Sequence, residues 1–527
     1  MDILSIRFLL LAAGLVVMYF LVPKRFQWPL LLAVSLLFYC MAGVRHVIYI
    51  LITASSTYGA TRIIQGMENR QKLFLRENKA ALSKEEKTAY KEKGKSRRKA
   101  VMVITLLLNF GILCAFKYFH FALEQVNSVI GALGGSQIED SFNWIIPLGI
   151  SFYTFQSMGY LLDVYWGRVE AENNYFKVLL FVTFFPQITQ GPISNFKQLT
   201  EELFAEHSFS YRNYSRGCQR MMWGFFKKMV VANVLSIYTG NIFANYGSCS
   251  GLSALAGMFM YSVEIYADFS GYMDIMCGLC EILGIRLMEN FERPYFSKSV
   301  AEYWRRWHHS LGEWFKNYLY YPLAVARWNQ KLGRKAKDKL GKAFGNNLPA
   351  TLALIVVWFT TGLWHGASWA YIVWGGLNGA VIIFSLWMEQ TYEKWKSALK
   401  IKDSSWGWRA FQTVRTFTLV TFIKALPEVG TLSQGVGLWK SVFAHSGGFA
   451  DLLSVGDTKS LCAALAGTLL IFVTSLIQRR QSVRSWLEDK TCLPVRILLF
   501  AVLFIAIVYF GVPVMENVEG GFIYAEF

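Results

Sequence analysis

Apolar residues in this chain gather in long runs near membrane length. They lie around residues 5–22, 28–43, 47–64, 101–118, 144–166, 174–190, 219–240, 252–283, 348–362, 368–388, 409–425, 459–477 and 495–512. About twenty apolar residues are needed to cross the hydrocarbon core of a bilayer, so several runs suffice and others are short. The short or interrupted ones fit tilted, re-entrant or buried helices, and the pattern predicts roughly eleven to thirteen spans. The expected fold class is all-α: a polytopic transmembrane helical bundle. The run at 8–22 is followed by Pro23-Lys24-Arg25 and another apolar segment, without a small-residue cleavage pattern. It is expected to be a retained first transmembrane helix rather than a signal peptide.

Composition agrees with lipid as the main solvent. Hydrophobic residues make up 54% of the 527 positions and charged residues 17%, against about 25% charged in a typical soluble domain. A helical membrane bundle grows by adding helices to one body, so a single domain over 1–527 is expected. The formal net charge of +18 would raise nucleic acid for a soluble protein. Here Lys and Arg concentrate in short segments beside apolar runs, and no nucleic-acid-binding motif accompanies them. The basic balance therefore reflects topology, with membrane lipids, anionic head groups among them, as a partner and no nucleic acid.

The basic loops also predict orientation. Lys24 and Arg25 favour a cytoplasmic turn, which places the N-terminus outside. Two further helices return the chain to the cytoplasm at Arg62, just before 68–99, where about a dozen Lys and Arg stand against about five Glu. The segment after the fourth helix carries Glu124, Glu139 and Asp140 without Lys or Arg, as an exterior loop should. Stretches 327–342 and 479–484 are basic again and expected to be cytoplasmic. The composition of 68–99 suits an amphipathic surface helix. No internal repeat is visible, which disfavours inverted-repeat transporter folds. Cys277 and Cys280 form a lone C-x-x-C without a second ligand pair, so packing cysteines and no metal site are expected.

Polar groups within the apolar runs carry the functional information, because ionisable side chains are costly in lipid and mark polar interiors or pathways. Four clusters stand out. Pro147-Leu-Gly-Ile-Ser-Phe-Tyr-Thr-Phe-Gln156, continuing to Asp163, either lines a cavity or supplies helix–helix hydrogen bonds. Phe185-Pro-Gln-Ile-Thr-Gln-Gly-Pro192 forces a bent connection, either a re-entrant turn or an exterior loop. Glu264 and Asp268 share a helix face, which suits paired acid/base groups, a cation site or, as expected here, pairing with Arg293, Arg305 or Arg306, which follow shortly. The fourth cluster runs from Asn290-Phe-Glu-Arg-Pro-Tyr-Phe-Ser297 through Tyr303-Trp-Arg-Arg-Trp-His308 to Gly362-Leu-Trp-His365-Gly-Ala-Ser-Trp369. His365 is set apart from the chain's seven histidines by flanking glycines and by Trp364 and Trp369. Glycine permits close packing, and indoles can wall a desolvated pocket in which a neutral histidine accepts a proton.

These segments resemble the membrane-bound O-acyltransferase superfamily, and most closely its alginate O-acetylase-like branch. The resemblance is ordered over roughly 145–380, the expected catalytic core: P-L-G-I-S-F-Y-T-F-Q, F-P-Q-x-x-x-G-P-I, Y-A-D-F-S-G-Y-x-D, N-F-x-x-P-Y-x-S-x-S-x-x-E-Y-W-R-R-W-H and G-L-W-H-G-A-x-W. Phe522–Phe527 is similar to the ending common in that branch. The resemblance implies His365 as principal catalytic histidine and His308 as the second functional position. Family members often carry histidine where this chain has Asn378. It further implies a funnel or tunnel, a multi-pass protein of the cell membrane, and no bound cofactor. The donor is then a cytoplasmic acyl thioester, acetyl-CoA or an acyl carrier protein. The acceptor is a cell-surface polysaccharide, with an extracytoplasmic acyltransferase as a further partner.

The chemistry fits the residues. A thioester is already activated, so transfer to a hydroxyl mainly needs deprotonation and alignment. His365 is expected to take the hydroxyl proton and His308 to position the acyl carbonyl or stabilise the oxyanion. Trp364, Trp369, Asp268 and Asn290 are the other expected substrate-binding residues. Arg305 and Arg306 either hold phosphates of coenzyme A or pair with Glu264 or Asp268. Two rival functions remain: D-alanyl transfer from a carrier protein to teichoic acid, and transport or flipping of a lipid-linked saccharide.

Overall fold

The computed structural model describes residues 3–141 and 145–512, and these are built from helices. Among them, the antiparallel bridge between Phe291 and Trp307 is the one extended pairing. The Phe522–Phe527 ending lies outside the described residues. Among the described residues, seven helices are long and apolar enough to cross a membrane, and the 16-residue apolar helix Ile6–Leu21 adds a shorter candidate. The protein is a polytopic helical membrane protein. Fewer long helices form than there are apolar runs, because several runs break. Residues 174–190 yield the nine-residue helix Tyr175–Thr183 and the single turn Phe185–Ile188, split where Pro186 removes a backbone donor. Residues 219–240 pass through a π-type stretch at Phe226–Ala232 between two α-helical pieces.

The chain divides into two compact units, Met1–Asn213 with Leu283–Leu287, and Tyr214–Ile282 with Met288–Phe527. In the first, helices Val47–Glu77 and Lys84–Ala132 pack against each other and against Ile150–Tyr165. The basic stretch 68–99 is helical, but as the continuation of those two long helices around a short turn. Ser83 and Glu86 cap the second helix reciprocally, satisfying amide groups that would otherwise lack partners. The pair is fastened by stacked Phe74 and Tyr90 rings, 4.4 Å apart, and by the Gln71 amide donating to the Tyr90 carbonyl at 2.9 Å.

The first two polar clusters meet in this unit. Nearly every residue of Ile150–Tyr165 is buried, and so is the turn at 185–188, which makes it an interior bend rather than an exterior loop. Gly149 adopts φ +67°, and a Cβ there would collide with the Ile188 carbonyl. Gln156 donates to the Phe181 carbonyl at 2.9 Å and Gln187 to Ser194 Oγ at 2.6 Å. Buried amides are thus spent on joining neighbouring segments.

In the second unit seven helices matter for the site: α1 (Tyr211–Phe225), α2 (Gly251–Leu283), α3 (Val300–Arg306), α4 (His309–Phe315), α5 (Lys342–His365), α6 (Trp369–Ala398) and α7 (Trp406–Ala425). Helices α1 and α2 run antiparallel in backbone contact through glycines seven residues apart. A Cβ on Gly217 would stand 2.5 Å from the Gly278 carbonyl oxygen, and one on Gly224 2.6 Å from that of Gly271. Such close approach is the usual benefit of small residues between membrane helices. It brings the acids of α2 to bases that precede them in sequence. Asp274 binds Arg220 at 2.9 Å and Lys227 at 2.6 Å, and Lys228 binds Asp268. Glu264 accepts from Thr239 Oγ1. The expected pairing of Glu264 and Asp268 with Arg293, Arg305 or Arg306 is therefore not made: close packing of the earlier helix supplies the partners first.

Replacing Gly224 by Val should lower the thermal midpoint of the detergent-solubilised protein, since overpacking a tight contact costs typically 1–3 kcal/mol. Gly240→Ala, where an added Cβ meets nothing within 4 Å, should leave the midpoint unchanged or raised. Equal midpoints for the two variants would refute the backbone contact.

Candidate active site

Asn290 ties the first half of the site together. Its Oδ1 receives the Ser310 N–H at 3.1 Å, the Ser310 hydroxyl at 2.9 Å and His308 Nδ1 at 3.2 Å. A backbone N–H can only donate, so the atom it meets is the amide oxygen. An amide oxygen can only accept, so the proton of His308 sits on Nδ1 and the lone pair on Nε2. The backbone is fixed around the same residue: the His309 amide donates to the Asn290 carbonyl at 3.0 Å and the Glu292 amide to the Arg306 carbonyl at 2.9 Å. Between α3 and α4, His308 takes φ +46° and ψ +51°. That left-handed conformation is uncommon outside glycine and persists only where the surroundings over-determine it. His308 is 1% exposed, and burial pushes its imidazole down to about 3. It is neutral at physiological pH.

His365 is the last residue of α5. The hairpin that follows is closed by glycines: a Cβ on Gly362 would stand 2.6 Å from the Tyr371 carbonyl oxygen, and one on Gly375 2.5 Å from that of Trp358. Ser368 caps α6 by accepting from the Tyr371 amide. This tight return brings the Trp374 ring within 4.7 Å of the His365 ring, at 72°. Trp364 bridges the histidines, its ring 4.9 Å from His365 and 5.8 Å from His308. His365 is 3% exposed. It lines a cavity of about 30 Å³ together with Trp304, Trp307, Tyr371, Trp374 and Lys424, room for roughly two water molecules.

The structure thus brings together His365, His308, Trp364 and Asn290, while the other expected site residues lie elsewhere. Trp369 is 53% exposed and does not line the cavity, its expected place as a wall being taken by Trp374, five residues further along α6 and on its buried face. Asp268 is occupied by Lys228. Arg306 is held by Glu302 at 2.6 Å, one turn back on α3. Arg305 is exposed, and among the described residues it has no acidic partner. Asn378, where the family resemblance leads one to expect histidine, accepts the Trp304 indole N–H at 3.0 Å and donates to the Trp374 carbonyl at 2.9 Å. It orients two walls of the cavity.

Lys424 was not singled out in sequence. It lies in the last turn of α7 and is 5% exposed. Its Nζ lies 3.7 Å from the Trp307 ring centroid and donates to Tyr303 Oη at 2.9 Å and Tyr295 Oη at 3.2 Å. The only signal for it was a single lysine in an apolar run, Thr421-Phe-Ile-Lys424-Ala.

Replacing Asn290 by Ala leaves the Ser310 amide and His308 Nδ1–H without their acceptor. Each stranded buried donor costs about 1–3 kcal/mol, so the variant should unfold several degrees lower in a detergent thermal melt. A midpoint equal to wild type would refute Asn290 as the tie.

Residues 171–336 match the model of MBOAT, the membrane-bound O-acyltransferase family. A protein named probable alginate O-acetylase in Pseudomonas aeruginosa is 34% identical over 278 residues, covering 53% of this chain and 50% of its own. The peptidoglycan O-acetyltransferase of Helicobacter pylori is 31% identical over 307 residues, 53% of this chain and 54% of its own. The teichoic acid D-alanyltransferase of Streptococcus thermophilus is 27% identical over 271 residues, 49% of this chain and 63% of its own. The chain spans about half the length of the first of these relatives. The family match covers the α1–α2 contact, the Asn290 tie and His308. A protein named probable alginate O-acetylase in Pseudomonas syringae is 33% identical over 376 residues, 71% of this chain and 66% of its own, and with the family match this makes the chain a member of the membrane-bound O-acyltransferase superfamily, in its alginate O-acetylase-like branch.

Proposed function

We propose that this protein is a membrane O-acyltransferase that moves an acetyl group from a cytoplasmic thioester to a hydroxyl of an extracytoplasmic polysaccharide, directly or through a partner protein. The observation that carries the reading is His365 at the end of α5, buried against Trp364 and Trp374 and lining a small cavity. A buried imidazole in a water-poor site can take the acceptor's hydroxyl proton as its oxygen attacks the thioester carbonyl. The carbonyl end of α5 carries partial negative charge, which stabilises the imidazolium formed at that moment. A cavity of about 30 Å³ suits a two-carbon acyl group better than a long chain.

His308 keeps its Nε2 lone pair through the Asn290 tie and stays neutral, so its role is positioning the reacting groups from behind Trp364 rather than supplying charge. Arg305, exposed on α3, remains available for the phosphates of a coenzyme A donor, whereas Arg306 is engaged by Glu302. The basic loops support a cell-membrane location with the N-terminus outside and 68–99 in the cytoplasm. D-alanyl transfer from a carrier protein is the second reading, favoured by the similarity to the teichoic acid enzyme. Supplying the purified protein with labelled acetyl-CoA or with D-alanyl carrier protein separates the two.

Cells carrying His365→Ala should contain normally inserted protein and lose base-releasable acetyl ester from their surface polysaccharide, with transfer reduced about 10²–10⁴-fold. Ester at the wild-type level would reject His365 as the general base.

A further inference from the structure

We infer that Lys424 is a catalytic residue whose ammonium stabilises the oxyanion formed during acyl transfer at His365. The inference rests on the acyl-transfer reading above and adds a group that none of the motifs contains.

Burying an ammonium is costly unless a carboxylate or a full set of acceptors receives it. The other two buried lysines of the second unit obey that rule, Lys227 binding Asp274 and Lys228 binding Asp268. Lys424 does not: among the described residues no carboxylate lies within 4.0 Å of it. Glu428, one turn further on, instead accepts from Tyr261 Oη at 2.6 Å. In place of an acid, Lys424 has the Trp307 face and the two phenol oxygens of Tyr295 and Tyr303. The Tyr295 hydroxyl donates its own proton to the Ser262 carbonyl, so towards Lys424 it acts as acceptor. An ammonium has three donors. Two are used on phenols, and the third has no protein partner among the described residues. Lys424 lines the same cavity as His365.

A cation held by neutral acceptors beside a general base is arranged for negative charge that appears only during reaction. The acceptor oxygen bonds to the thioester carbon as His365 takes its proton, and the carbonyl π pair moves onto oxygen. When that oxyanion collapses the C–S bond breaks, and the thiolate leaves with the proton returned by the imidazolium. Lys424 supplies the third N–H to the oxyanion and is itself neither consumed nor deprotonated. A resident carboxylate would have quenched this field, whereas cation–π and phenol contacts hold the ammonium in place and leave its charge available.

The test uses full-length protein in nanodiscs with labelled acetyl-CoA and a cell-surface polysaccharide extract, read as base-releasable acetate. Lys424→Met should lower kcat about 10²–10³-fold, as removal of one oxyanion donor does, with KM for acetyl-CoA changed less than about threefold. Lys424→Arg should recover part of that loss. A raised KM with unchanged kcat, or full activity in Lys424→Met, overturns the proposal. So does a thermal midpoint lowered equally in the Met and Arg variants with equal residual activity, which marks a structural role. Should the Met variant not fold, Tyr303→Phe, which keeps the lysine but removes one acceptor, must still lower kcat more than it raises KM. Wild-type protein that transfers no acetyl group from any thioester defeats the acyl-transfer reading itself. Wild-type transfer with an indifferent Lys424→Met defeats this inference alone.

Discussion

The cost of burying a hydrogen-bonding or charged group without a partner governs where the polar side chains of this protein go. Asp268 and Asp274 are tolerable inside α2 because Arg220, Lys227 and Lys228 face them. That pairing depends in turn on Gly217, Gly224, Gly271 and Gly278, which let two backbones touch. Without the glycines the helices would stand apart, and short lysine–aspartate contacts would be replaced by stranded charges. The Asn290 tie obeys the same rule with neutral groups, one amide oxygen serving three donors.

From that rule follows a division of labour among similar residues. Of the arginines in the W-R-R-W-H segment, one is neutralised on its own helix and the other is exposed. Of the two histidines, His308 is fixed by hydrogen bonds in a left-handed turn, while His365 is framed by indole rings and opens onto a cavity. A histidine held by a rigid acceptor suits positioning, and one framed by rings beside open space suits proton transfer. Asn378 shows the economy of the arrangement: it spends both ends of its amide on the tryptophans that form the walls.

Much of this was legible in the sequence. Long apolar runs and sparse charge fix a helical membrane protein, because the backbone in lipid must satisfy its own hydrogen bonds. The glycine–tryptophan setting singled out His365, and the ordered motifs placed His308 and Asn290 near it. Trp369 was drawn into the same picture by proximity along the chain, but α6 turns it outward.

Composition and run length thus determined the solvent, the helical class and the residue types that are costly to bury, since these are properties of each segment alone. Only the tertiary structure decided the partners. Asp268 meets a lysine from the preceding helix rather than an arginine from the following one, the proline–glycine bend at 185–192 runs through the interior, and a lysine from α7 arrives beside a histidine from α5. Each of these depends on how closely distant helices approach, and that distance is set by side chains on both surfaces at once, which no local pattern encodes.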